Sequence, residues 1–181
     1  MTRHSALQTI RDEHASLAAM LQSMRLMVQK GPGDNRRQFF DVLRGMLFYI
    51  DEFPERLHHP KESNLLFPKV VKLAPKVMGA VDKLERDHMR SEKAARDLQH
   101  LLLAWDLLGP SRRTEFEEAI GQYIDAYLEH MNVEEKVILS EAERMAGIVA
   151  LLVMALVAMA GAAWQARRPS SLSPQLQPAG L

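Results

Sequence analysis

The sequence contains no cysteine among its 181 residues. This absence excludes disulfide bonds, thiolate nucleophiles, iron–sulfur clusters and zinc sites built from cysteine. Any bound metal ion must therefore be held by nitrogen and oxygen atoms, which favours iron, manganese or zinc in a site made of imidazoles and carboxylates.

The sequence also lacks an excess of charge, since it has 23 Lys and Arg residues and 23 Asp and Glu residues. A neutral chain has little electrostatic attraction to phosphates, so we expect no nucleic-acid partner. The opening segment MTRHSALQTIRDEH is charged and amphipathic rather than apolar like a secretory signal. A cytoplasmic location is therefore the expectation.

Glycine and proline mark the boundaries of long stretches in which apolar residues recur every three or four positions. This spacing is typical of amphipathic helices. It predicts helices over residues 5–29, 36–66 and 76–108, and a fourth helix that begins near residue 114. Because the connections are short, we expect an all-α fold, an up-down-up-down four-helix bundle over residues 1–143.

Two local signals predict where helices begin. In the turn GPGDN, Asp34 or Asn35 is expected to cap the second helix through its side-chain oxygen. Thr114 and Glu117 form a T-x-x-E pattern, which is typical of a capping box and predicts the start of the fourth helix.

The composition changes near residue 144. The stretch MAGIVALLVMALVAMAGAAW, residues 145–164, carries no charge, and its length matches a transmembrane helix of roughly 20 apolar residues. We expect an apolar C-terminal helix over residues 144–168 that anchors the bundle to a membrane. The alternative is a helix that packs on the bundle or mediates oligomerisation. The remaining tail, residues 169–181, is rich in Ser, Pro and Gln and is expected to be disordered.

A histidine and a glutamate stand four positions apart on two of the predicted helices. These pairs are His58 with Glu62 and His130 with Glu134. Residues with this spacing lie above one another on one face of a helix, where they can hold one metal ion or reach two adjacent ions. A single pair is common by chance, but a second pair on another helix is a much stronger indication of a metal site.

The other two helices each carry a histidine, His14 or His88, within their apolar rows. Burying so many ionisable groups without a cation would be costly, whereas carboxylates and neutral imidazoles are natural metal ligands. We therefore expect a shared metal site. The candidate ligands are His14, His58, Glu62, His88, His130 and Glu134.

Several neighbouring residues leave alternatives open. His59 could replace His58 as a ligand or hydrogen-bond to one, and Glu92 could be a further ligand or a solvated surface charge. Pro54 and Pro60 interrupt the second helix, so the ideal geometry of the pair around Pro60 cannot be assumed. Counted from the turns, the histidines of the first two helices differ in depth by roughly 9 Å, the largest mismatch in the predicted site.

These motifs resemble the hemerythrin-like HHE cation-binding domain family. The similarity covers roughly residues 4–143 and rests on the order H, HxxxE, H, HxxxE. It is carried by the segments RDEHASL, HHPKESNLLFP, LERDHMR and HMNVEEKVIL. The resemblance implies a non-haem di-iron centre, bridged by two carboxylates, with the six candidate residues as ligands. Manganese and zinc are alternatives to iron.

The resemblance also implies a function. In oxygen-carrying members the third helix supplies a histidine pair and the fourth an aspartate, whereas Glu92 and Glu134 stand at those places here. We therefore expect a protein that binds or senses dioxygen, nitric oxide or a related small oxidant, and no separate catalytic residues. The alternatives are a di-iron oxidoreductase, peroxide-handling or iron-centre repair enzyme, and a structural bundle in which the histidine cluster is incidental.

Overall fold

A computed structural model describes residues 6–148, 151 and 154 of the chain. These residues are helical apart from short connections, and no β-strand occurs among them. The chain divides into two units, Met1–Glu143 and Arg144–Leu181. All of the candidate metal ligands lie in the first unit.

Four long helices make up the first unit. Helix α1 is Ala6–Lys30, α2 spans residues 36–73, α3 is Met78–Leu108, and α4 begins as Arg113–Val133. The four helices predicted from apolar spacing are thus all present within the described part of the chain.

Consecutive helices run antiparallel and pack side by side. Each helix contacts the next one in the chain, and α1 also contacts α4, which closes the bundle. The direction is visible where α1 meets α4, because Arg11 pairs with Glu143 at 2.6 Å and Arg25 pairs with Asp125 at 2.5 Å. The described residues form the four-helix architecture that the sequence predicts.

Two apolar clusters lie on either side of a polar layer. Trp105 is central to the larger cluster, and its ring meets Phe40 edge-on at a centroid distance of 5.1 Å. Along α3 the smaller cluster contains Leu84, the polar layer contains His88, and the larger cluster begins at Ala95. Since each fully buried large side chain stabilises the fold by about 1.5–3 kcal/mol, the two clusters hold the polar layer in place.

Of the two predicted helix caps, one is confirmed and the other is wrong. Asn35 caps α2 as predicted, because its side-chain oxygen accepts a hydrogen bond from the Gln38 amide at 3.2 Å. The capping box at Thr114 is wrong, since α4 begins one residue earlier and no side chain caps it. A 3₁₀ turn, Pro110–Arg112, leads directly into the helix and replaces the cap.

Helix α2 is longer than predicted and includes two π-helical segments. The segments Asp51–His58 and Glu62–Leu66 lie before and after the short α-helical piece His59–Lys61. The predicted connection from residue 67 is wrong in its first part, because Phe67–Leu73 is helical. Pro68 lies in the first turn of this segment, directly after the π-helical segment Glu62–Leu66, so the backbone changes its hydrogen-bonding pattern beside the proline.

The predicted mismatch in depth between His14 and His58 is absent, and the π-helical turns account for part of the difference. A π turn holds more residues than an α turn, so it shortens a helix for a given number of residues. The imidazole rings of His14 and His58 lie 5.4 Å apart rather than at different levels of the bundle. A third π-helical segment, Glu134–Leu139, follows α4 beside the same polar layer.

The predicted C-terminal features fall largely beyond the described residues. Among the residues that are described, no helix is long and apolar enough to cross a membrane. Most of the predicted apolar helix, residues 144–168, and all of the predicted tail, residues 169–181, lie outside the described part of the chain. Membrane attachment through this segment gains no support and stays a prediction.

Candidate metal centre

All six predicted ligands converge in the buried polar layer. None of them is more than 9% exposed, and Glu134 is fully buried. They come from all four helices, with His14 from α1, His58 and Glu62 from α2, His88 from α3, His130 from α4, and Glu134 from the π-helical segment after it.

The ligand atoms form two adjacent clusters that share Glu62. Within each cluster the nitrogen and oxygen atoms lie within 4.8 Å of one another. Because one carboxylate belongs to both clusters, its two oxygens can serve two neighbouring ions. The first cluster is His14, His58, Glu62 and Glu134, and the second is His59, Glu62, His88 and His130.

The two oxygens of Glu62 face histidines of different clusters. Its Oε1 lies 2.6 Å from His58 Nε2, and its Oε2 lies 3.4 Å from His88 Nε2. In the first cluster His14 Nε2 lies 3.3 Å from Glu134 Oε2. Two adjacent ligands of an octahedral ion with bonds of 2.0–2.1 Å are about 3 Å apart. The side chains therefore have the spacing of ligands around a common centre.

The inward-facing atoms of these side chains lack hydrogen bonds. Both oxygens of Glu62 and of Glu134, and the Nε2 atoms of His58, His88 and His130, are buried without a hydrogen-bonding partner. Each buried polar atom without a partner costs about 1–3 kcal/mol of stability. A cluster of such atoms in one place is therefore unfavourable. A bound cation would satisfy them together, and the donor set therefore fits a metal ion.

The opposite nitrogens of the first-cluster histidines meet carboxylates. His14 Nδ1 lies 3.0 Å from Glu135 Oε1, and His58 Nδ1 lies 2.7 Å from Glu13 Oε2. A carboxylate on Nδ1 fixes the tautomer and the ring orientation, so that Nε2 points inward with a free electron pair. Sequence reasoning missed both Glu13 and Glu135.

The second-cluster histidines have similar neighbours. His88 Nδ1 lies 3.2 Å from the Ser63 hydroxyl oxygen, and that hydroxyl donates a hydrogen bond of 2.9 Å to Glu85. His130 Nδ1 faces Asp87 at the longer distance of 3.8 Å. All four predicted histidine ligands are thus arranged with Nδ1 toward a polar group and Nε2 toward the centre.

His59 differs from these four histidines. Its ring stacks on His88 at a centroid distance of 4.0 Å, but both of its nitrogens make hydrogen bonds. Nδ1 lies 3.0 Å from Glu55 Oε2, and Nε2 lies 2.8 Å from the Tyr127 hydroxyl. Of the two roles that the sequence leaves open for His59, this bonding favours a partner that supports the ligands over a ligand itself.

Glu55 joins His59 to a larger buried network. Its second oxygen accepts hydrogen bonds from the Ser91 hydroxyl and from the Tyr123 hydroxyl, the latter at 3.2 Å. Burial raises the pKa of Tyr123 and of Tyr127 well above the usual value, so both phenols stay protonated and can donate. The network is therefore a set of satisfied polar groups beside the second cluster.

Glu92, the other open candidate, lies outside both clusters. Its side chain is 52% exposed and accepts a hydrogen bond of 2.9 Å from Arg96, one helical turn further along α3. The surface interpretation of Glu92 fits this geometry.

The two central carboxylates have opposite pKa shifts. Burial acts to raise the pKa of Glu62, but the neighbouring imidazoles of His58 and His88 hold it well below its usual range. Burial and the nearby charge of Glu62 raise the pKa of Glu134 to about 7, although His14 opposes this shift. Without a cation, Glu62 therefore keeps its negative charge, whereas Glu134 loses its proton only near pH 7.

The pKa values of two histidines in the site are also shifted in opposite directions. Burial acts to lower the pKa of His58, but Glu62 and Glu13 raise it to about 9. Burial and the neighbouring imidazoles of His88 and His59 lower the pKa of His130 to about 2. Protons thus occupy part of the site without a cation, and a metal ion must displace them when it binds.

A four-helix bundle with a buried layer of histidines and carboxylates is typical of metal-binding helical domains. The family model of the hemerythrin HHE cation-binding domain matches residues 5–142, and the chain belongs to this family. The match confirms the resemblance predicted from the HxxxE motifs. No curated protein and no solved structure matches the chain significantly.

Proposed function

We propose that this protein binds two iron ions side by side in the polar layer. His14, His58 and Glu134 would hold one ion, and His88 and His130 the other. Glu62 would bridge them, as it is the carboxylate shared by both clusters. The family resemblance implies that Glu134 also bridges. The observation that carries the proposal is the convergence of buried donor atoms without hydrogen bonds.

The donor set supports iron as the resident metal. It contains imidazoles and carboxylates without a thiolate, a combination that suits iron and also manganese or zinc. Iron is preferred because the HHE family, to which the chain belongs, implies it. The protein side chains orient the ions through the carboxylates that contact Nδ1 of the histidines.

We infer that the centre binds or senses dioxygen, nitric oxide or a related small oxidant. A di-iron centre would supply redox chemistry and a coordination position for such a ligand. The chain supplies few donors for each ion, four in the first cluster and at most four in the second, fewer than the six of an octahedral ion. An external ligand would therefore find room without displacing a side chain.

Iron content of carboxylate variants tests this proposal. Glu62→Ala should lower the iron content well below two ions per chain, and Glu134→Ala should do the same. Glu92→Ala is the matched control, because Glu92 lies on the surface, paired with Arg96. Unchanged iron loading in both ligand variants would overturn the proposal.

A second candidate function is an enzymatic one, oxidation or peroxide handling at the same centre. It is favoured by the buried hydrogen bonds that join Tyr127 and His59 to Glu55 beside the second cluster. Consumption of hydrogen peroxide by the iron-loaded protein, with repeated turnover, would support this alternative. A single stoichiometric reaction without turnover would contradict it.

A further inference from the structure

A cavity of about 410 Å³ lies between α3 and α4. Exposed Arg90 and Gln122 are at its rim, whereas buried His59, Tyr127 and His130 are at its floor. The cavity therefore runs from the surface of the bundle to the second cluster of the metal centre.

The walls of this cavity are mostly small or apolar. A cavity of about 10–15 Å³ on this measure can hold one water molecule, so the cavity between α3 and α4 exceeds what a diatomic ligand requires. Small side chains keep this space open, because larger ones at the same positions would fill it. The apolar lining consists of Ala94, Leu98, Leu101, Ala119 and Ala126.

A much smaller cavity lies beside the first cluster. The cavity beside His14 and His58 measures about 10 Å³, roughly the space of a single water molecule. Tyr49 and Phe53 lie on its wall, and their rings stack at a centroid distance of 5.4 Å. The two halves of the centre thus differ in the size of the cavity beside them.

Not every residue of the second cluster has an atom free to bind a metal ion. Both nitrogens of His59 are hydrogen-bonded, and the Glu92 side chain pairs with Arg96 on the surface. The side chains with free inward atoms are therefore His88, His130 and the shared Glu62. Even with Glu134 as a second bridge, an ion held there would have four protein donors, which leaves room for an external ligand.

We propose that the external ligand approaches through the α3–α4 cavity and binds to the ion held by His88 and His130. This inference rests on the proposed function and specifies which of the two ions takes the ligand. The ligand class is a small molecule or anion with one donor atom, such as nitric oxide or azide. Tyr127 and His59 line the last part of the path, and the Glu55 hydrogen bond fixes the orientation of His59.

The test is the rate of azide binding to the oxidised, iron-loaded protein, followed by stopped-flow absorbance. Ala94→Phe and Ala119→Phe would each fill part of the cavity, and each position lies more than one helical turn from the nearest proposed ligand on its own helix. Either variant should bind azide about tenfold more slowly than the unsubstituted protein at unchanged iron content. Having two variants keeps the test informative if one of them does not fold.

Two control variants make the result specific. Met89→Phe adds a ring on α3 outside the cavity, where Met89 is 66% exposed, and should leave the rate unchanged. Leu17→Phe enlarges a side chain beside the small cavity of the first cluster and should also leave it unchanged. A slower rate in Leu17→Phe, with normal rates in both cavity variants, would place the path on the opposite side and overturn the inference.

The two possible failures are distinguishable. If the unsubstituted protein holds no iron after reconstitution, the proposed function fails, and this inference fails with it. If the protein is iron-loaded and both cavity variants bind azide at the unsubstituted rate, the proposed function stands and the inference about the path is wrong.

Discussion

His58 and Glu62 face each other across Pro60, with Nε2 of the imidazole 2.6 Å from Oε1 of the carboxylate. A proline between two residues of a helix removes an amide donor and would be expected to disturb their spacing. Here the helix has π-helical turns on both sides of His59–Lys61, the piece that contains this proline. Such turns are frequent at functional sites, and these ones position both groups in the polar layer.

Adjacent histidines on α2 should respond differently to the same substitution. His58→Gln removes a free inward nitrogen and should lower the iron content below two ions per chain. His59→Gln should retain both ions, because His59 already bonds Glu55 and Tyr127. Metal analysis of the two purified variants makes the comparison. Loss of one ion in His59→Gln would show that His59 is a ligand.

Glu13→Gln should weaken iron binding without removing a ligand. Glu13 contacts His58 Nδ1 at 2.7 Å, and loss of such a partner typically lowers metal affinity by about 10–100-fold. Asp12→Asn is the control, since the neighbouring Asp12 is exposed and accepts a hydrogen bond from Gln8 instead. Competition with a chromophoric chelator measures both affinities. Equal affinities would contradict the orienting role of Glu13.

The metal-free protein should lose stability as the pH rises from about 6.5 to about 9. The folded-state pKa of His58 is about 9, above its ordinary value of 6.5, because Glu62 and Glu13 favour the imidazolium. The contribution of His58 to the free energy of unfolding is fully present below pH 6.5 and disappears as the pH passes 9. This change is roughly 3 kcal/mol at most. Urea unfolding at several pH values measures this, and His58→Gln should flatten the profile.

Glu134 should add to that pH dependence at lower pH. Its pKa is raised from 4.5 to about 7, so folding favours the protonated carboxyl. The corresponding stabilisation is present below pH 4.5 and is lost as the pH rises through 7. In Glu134→Gln the amide keeps its form at every pH, so the metal-free variant should show a smaller fall in unfolding free energy over this range. An unchanged fall would exclude Glu134 as the titrating group.

Iron binding should have the opposite pH dependence. A metal ion must displace the protons on His58 and Glu134, so its affinity should increase as the pH rises from about 6 to about 8. Anaerobic titration with ferrous iron, in two buffers of different ionisation enthalpy, measures the affinity and the protons released. Binding that releases no protons would contradict these protonation states.

The sequence predicted the helices and the inward rows of candidate ligands for a clear reason. Helical periodicity places His14, His58 and His88 on the same faces as core residues, and that pattern is local. Asn35 was predictable in the same way, because an N-cap involves only its own turn.

The rest of the site depends on contacts between helices. Glu13 directly precedes His14 in sequence, but its carboxylate contacts His58 on another helix. Likewise Glu55, His59 and Tyr127 form one network only because α2 packs beside α4 at this level of the bundle. The π-helical turns were also not predicted, since proline indicates a disturbed helix without specifying how the backbone accommodates it.

The most direct measurement is the iron content of protein purified without chelator, together with its absorption spectrum before and after exposure to air. We expect about two iron ions per chain and the charge-transfer bands of an oxo-bridged pair after exposure. Protein that contains no metal after iron reconstitution, or a single zinc ion per chain, would contradict a di-iron centre at Glu62.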